Sequence, residues 1–121
     1  MTVGQENLVS TISTGRDTSE HLALTVDLDR SSAVIALIGE VDHHTKEYLR
    51  RILRGVLAVG AVSVELDCEA LAFIDASGIT CIAEAAGHLD ERGGSLTLHH
   101  PSPLLERMLA VTQIDQRVTI A

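Results

Sequence analysis

Two short polar segments, two cysteines and one basic stripe are where this chain could do chemistry. The first segment is Phe73-Ile74-Asp75-Ala76-Ser77-Gly78-Ile79, in which an apolar run ends at Asp75 and a helical pattern starts directly after it. The first turn of a helix has unpaired N–H groups and the positive end of the macrodipole, so a carboxylate or an added phosphate is well accommodated there. Two readings of Asp75, Ala76, Ser77 and Gly78 follow. They form a capped, tight strand-to-helix turn in which Gly78 allows close backbone approach, or they form a recognition or phosphorylation site.

The second segment is Gly39-Glu40-Val41-Asp42-His43-His44-Thr45. Asp and His are metal ligands, but adjacent histidines in an extended segment diverge, and no third or fourth ligand falls at helical spacing. His99-His100 is no better placed, so the segment reads as a polar loop that caps a helix through Asp42 or Thr45, with no metal. Cys68 and Cys81 lie in apolar surroundings. They are two reduced core thiols, or a redox pair if their Cα atoms come within about 7 Å. Lys46, Arg50 and Arg54 recur at four-residue spacing as a basic stripe, either a solvated helix face or a docking edge beside Asp42 and the Asp75 turn.

The elements that must position these residues are legible from hydrophobic period. Residues 1–21 hold scattered apolar positions among Ser, Thr, Gly and acids and are expected to form a flexible tail with one short strand. Leu22, Leu24, Val26 and Leu28 alternate with Ala23, Thr25, Asp27 and Asp29, a strand pattern. Arg30-Ser31-Ser32 turns the chain, and Ala33–Ile38 is a near-continuous apolar run expected for a strand covered on both faces. Tyr48, Leu49, Ile52, Leu53, Val56 and Leu57 mark an amphipathic helix ended by Gly60.

Val62, Val64 and Leu66 begin a third strand that runs through Leu71 and Phe73 to Asp75. A second helix is expected from Ala76 to Arg92, with Ile79, Ile82, Ala83, Ala86 and Leu89 on its core face and Gly93-Gly94 as its stop. Ser95–His99 is a fourth strand, Pro101–Val111 contains a third helix capped by Ser102, and Arg117–Ile120 is a fifth strand. Strands alternating with helices predict one α/β domain over residues 22–121, with a mixed, mostly parallel sheet and helices packed on it.

Composition narrows the function. The chain has 121 residues, enough for one domain, and seventeen acids against nine bases give a formal net charge of −8, which argues against nucleic-acid binding and against an electrostatic grip on membranes. The core must be aliphatic, because Phe73 and Tyr48 are the only aromatic residues. No run is long enough to insert in a membrane, no signal peptide precedes the first strand, and a cytoplasmic location is expected. The chain has no Gly-rich phosphate loop, no Gly-x-Ser-x-Gly elbow and no Cys-x-x-Cys, so neither an enzyme nor a cofactor is expected.

Four motifs in register resemble the STAS domain family, in particular the bacterial anti-sigma factor antagonists of the sporulation type. They are Gly39-Glu40-Val41-Asp42 with its His43-His44-Thr45 continuation, Glu65-Leu66-Asp67, Ile74-Asp75-Ala76-Ser77-Gly78-Ile79, and Gly93-Gly94. The resemblance spans about residues 22–121. It implies a STAS fold and a partner-switching protein that binds an anti-sigma factor, itself a serine kinase of the GHKL type, and so releases a sigma factor. It implies partner binding through Asp42, Asp75, Ala76, Ser77 and Gly78.

In such antagonists the kinase phosphorylates the serine directly after the turn's aspartate. That acceptor position is Ala76 here, which has no hydroxyl. Ser77 and then Thr80 are the nearest substitutes. Control by something other than phosphate at residue 76 is therefore expected, with oxidation of Cys68 and Cys81 as one candidate. A STAS regulatory subunit of a phospholipid-transport ABC complex, or of a sensory assembly, is the alternative implied by the same motifs, and a small-ligand sensor is a further one.

Overall fold

The structure, a computed structural model, describes residues 12–13 and 21–121. Of the tail expected over residues 1–21, residues 1–11 and 14–20 lie outside the described residues. Its short strand is β1 (Ile12–Ser13), which pairs antiparallel with β2 (Leu22–Asp29). β2 and β3 (Ser32–Val41) form an antiparallel hairpin in continuous register from Leu22 opposite Gly39 to Asp29 opposite Ser32. From there every pairing is parallel: β3 to β4 (Ser63–Asp67), β4 to β6 (Ser95–His99), β6 to β7 (Thr119–Ile120), and β3 to β5 (Leu71–Ile74). Helices α1 (Lys46–Ala58), α2 (Ala76–Glu91) and α3 (Pro103–Val111) form the connections a parallel sheet requires. The fold is a single α/β domain with a mixed, mostly parallel sheet.

Four sequence expectations need correction. The third strand is two strands. At Glu69-Ala70 the chain turns, with the Leu71 N–H donating to the Cys68 carbonyl at 3.1 Å, and moves from the first half of β3 to its second half. The run Ala33–Ile38 is covered on one face only. Ala33, Ile35 and Leu37 are buried, whereas Val34 and Ile38 are 41% and 39% exposed, because the buried residues of all three helices join the core on the first face. On α2, Ala83 is half-buried and Ala85 is buried instead, since Cys81 and Ala85 face α1. The last strand is shorter than expected, because Ile114–Gln116 forms a 3-10 turn before Thr119–Ile120.

One core residue carries an unpaid polar group. Tyr48 on α1 is buried, and its hydroxyl oxygen is the one buried side-chain polar atom among the described residues without a hydrogen-bond partner. Burial also pushes its phenol above the ordinary pKa, against a smaller downward pull from Arg51. Removing an unsatisfied hydroxyl removes its desolvation cost, so Tyr48→Phe should hold or raise stability by about 1 kcal/mol. Urea unfolding with an unchanged m-value checks this, and a loss of more than about 1 kcal/mol would show that the hydroxyl is bonded.

Candidate functional site

The two polar segments meet at one corner of the sheet. β3 and β5 run in parallel, Val41 lies opposite Ile74, and the Asp75 N–H donates to the Val41 carbonyl at 3.1 Å. Asp42 and Asp75 therefore leave neighbouring strand ends side by side, one to enter α1 and the other α2.

Asp75 is the N-cap of α2. Its Oδ1 accepts from the Ser77 N–H at 2.9 Å, the Gly78 N–H at 3.2 Å and the Ser77 hydroxyl at 2.6 Å. Burial pushes the Asp75 carboxyl up, but these donors, joined by the backbone N–H of His43, outweigh it and hold the group below the usual carboxylate range. The His43 N–H, from the loop after Asp42, adds the smallest of these downward pulls, so the two segments also meet electrostatically. Gly78 is required by packing: a Cβ there would lie 2.6 Å from Val41 Cγ1 and 2.7 Å from Ile74 Cγ1.

The Asp42 loop is closed on itself. Asp42 Oδ1 accepts from the N–H groups of His44 at 2.9 Å and Thr45 at 3.0 Å. The Thr45 hydroxyl accepts from the Asp42 N–H at 3.0 Å and donates to the Glu40 carbonyl at 2.9 Å. Burial raises the Asp42 pKa, and the bonds from Thr45 and His44 more than reverse this. Thr45 occupies the N-cap position of α1, but its side chain faces back into the loop and does not cap the helix. It is also almost fully buried, 2% exposed.

Across this corner Ala76 is exposed at the first position of α2, with a methyl and no hydroxyl. Ser77 is half-buried and its hydroxyl proton is committed to Asp75. Thr80 is exposed and donates to the Ala76 carbonyl at 3.0 Å. The corner can present a fixed pattern of backbone and carboxylate groups to a partner. It holds no free hydroxyl at residue 76.

The remaining candidates lie elsewhere. Cys68 and Cys81 are free and buried, and each lines a different cavity. Burial, helped by Asp67, pushes the Cys68 thiol up to about 12, and burial also raises Cys81. Neither is a thiolate near neutral pH, the form that oxidants and metals attack. Within the basic stripe, Arg50 pairs with Glu47 and donates from Nε to Glu84 of α2 at 3.1 Å, joining the two helices, while Arg54 is exposed. His43 and His44 are both exposed, with their rings edge to face at 5.6 Å.

Asp67, Glu69 and His100 are the one trio of metal-ligating groups that meet among the described residues. Sequence reasoning missed it, because it is the register of β4 with β6 that brings Asp67 beside His99-His100.

Comparison with known proteins agrees with this geometry. The family described as Mlab, STAS domain matches residues 24–120. A relative named anti-sigma F factor antagonist, from Lysinibacillus sphaericus, is 31% identical over 80 residues, which cover 65% of this chain and 68% of the relative. The unphosphorylated form of the anti-sigma factor antagonist SpoIIAA superposes with a TM-score of 0.66 at 27% identity, over 81% of this chain and 86% of that one. The phosphorylated form of SpoIIAA from Bacillus shares the fold at a TM-score of 0.68 and 24% identity, over 81% and 90%. With the sheet order, the paired aspartate turns and the glycine under the second of them all accounted for, the chain belongs to the STAS domain family.

Proposed function

We propose that this protein is an anti-sigma factor antagonist whose docking corner is Asp42, Asp75, Ala76, Ser77 and Gly78, and that no phosphate switches it at residue 76. The relative from Lysinibacillus and the likeness to SpoIIAA support the antagonist role. The single observation that carries the second half is the exposed Ala76 at the start of α2, beside a serine whose hydroxyl is already bonded to Asp75.

The partner is an anti-sigma factor that is a serine kinase of the GHKL type, and its capture releases a sigma factor. A phosphate at this corner would add about −1.5 to −2 charges next to two carboxylates, which would repel a partner that docks there. Without an acceptor the corner stays in its binding form.

The test is to mix the protein with each GHKL-type anti-sigma factor of the same genome and ATP, then read sigma factor release and intact mass. Release with an unchanged mass is expected. A phosphate mapped to Ser77 or Thr80 overturns the unswitched reading, and failure of every such anti-sigma factor to bind overturns the antagonist reading. The same alanine also suits a STAS subunit of a transport complex that phosphate never switches. Binding to an ABC ATPase in place of the kinases would favour that reading.

A further inference from the structure

Phe73 is the only phenylalanine of the chain, and it is 47% exposed, outside a core built mainly from aliphatic side chains. Its strand, β5, pairs only with β3, so the other edge of β5 faces the start of α3 across a notch of about 40 Å³, room for the end of one apolar side chain. Leu104, 55% exposed on the first turn of α3, forms the opposite wall, and Ala72, Cys68 and Leu105 line the remainder. Two large apolar side chains exposed on both sides of one depression are what a docking point looks like, and aromatic anchors of this kind are enriched at interfaces.

The surrounding charge selects the occupant. Glu40 is the strand-register partner of Phe73, and Glu69 is exposed in the turn before β5. Neither Glu40 nor Glu69 forms an ion pair with a cation among the described residues.

We propose that the notch between Phe73 and Leu104 seats an apolar side chain of a partner protein, flanked on that partner by lysine or arginine. The identity of that partner as the anti-sigma factor rests on the antagonist reading. The notch itself does not.

The experiment titrates isotope-labelled protein with two synthetic helical peptides that share one leucine pattern, one with lysines and one with glutamates between the leucines. Resonances of Phe73, Leu104 and Leu105 should shift with the lysine peptide only. The double variant Phe73→Ser, Leu104→Ser should weaken binding about tenfold or more, and Leu104→Lys, a surface change that leaves Phe73 in place, should do the same by repulsion. Equal binding of both peptides, no binding, or shifts elsewhere would overturn the proposal. So would sedimentation showing that the protein self-associates and the double variant does not, since a second copy would then cover the notch.

The anti-sigma factor forms a separate arm. If it binds the native protein and the folded double variant equally, the notch is not its docking point and the antagonist reading stands. If it binds neither, that reading fails and the peptide arm alone judges the notch.

Discussion

Ala76→Glu should weaken binding of the anti-sigma factor about a hundredfold while leaving the protein fully folded. Residue 76 is exposed at the first position of α2, so the new carboxylate meets solvent in the free protein and nothing must move to admit it. A helix N-terminus favours an acid by about 0.3–1 kcal/mol, which predicts an unchanged or slightly raised melting temperature. In the complex the same charge would be taken out of water beside Asp75 and Asp42, both held ionised by their hydrogen bonds. Like charges brought together at an interface cost several kcal/mol, and about 2.7 kcal/mol is a hundredfold in Kd.

Ala76→Ser is the matched control. It keeps the affinity of the native protein and, in the presence of kinase and ATP, should gain a phosphate that native protein does not. Native affinity retained by Ala76→Glu, with the fold intact, would show that the partner docks elsewhere.

The corner was legible in sequence to the extent that local physics determines it. An aspartate between an apolar strand and a helical pattern must cap that helix, and the three bonds accepted by Asp75 Oδ1 are that cap. The same holds for Ser102, which accepts from the Leu105 N–H at 3.1 Å ahead of Pro103. What did not show was anything decided by pairing between distant segments. An apolar run such as Ala33–Ile38 reads the same whether one face or both are covered, and only the placement of the helices leaves Val34 and Ile38 open. The break at Glu69-Ala70 carries no glycine or proline, so the run from Val62 to Asp75 looked like one strand. The tie from Arg50 to Glu84 did not show either, because nothing in α1 announces that Glu84 lies opposite.

Gly39 is where the fold and the site depend on a single missing side chain. Its φ is +114°, a region beyond the left-handed well that only glycine occupies comfortably. An added Cβ would stand 1.8 Å from the His21 carbonyl oxygen, which already accepts from the Glu40 N–H at 2.8 Å. On its other side the Gly39 N–H donates to the Ala70 carbonyl at 3.0 Å. The obstacle is the backbone of His21 and Leu22, so no rotamer change relieves it. The chain must give up the Glu40–His21 bond or the β3–β5 register, where the pairing already shifts between Gly39 and Glu40.

Gly39→Ala should therefore cost more than about 3 kcal/mol, a large share of the roughly 5–15 kcal/mol that holds a domain together. Gly60→Ala separates the two causes. Gly60 also has a positive φ, +103°, but no atom lies within 4 Å of its added Cβ, so this variant carries the dihedral strain alone and should cost about 1–2 kcal/mol.

The difference between the two, read from urea midpoints, measures the close approach itself. Because Gly39 leads within three residues to Asp42, partner binding by Gly39→Ala should fall even in buffer where most molecules remain folded, whereas Gly60→Ala, at the far end of α1, should bind normally once folded. Equal losses of stability in the two variants would mean that β3 does not press against the start of β2 as described, and the alignment of Asp42 with Asp75 would then need another cause.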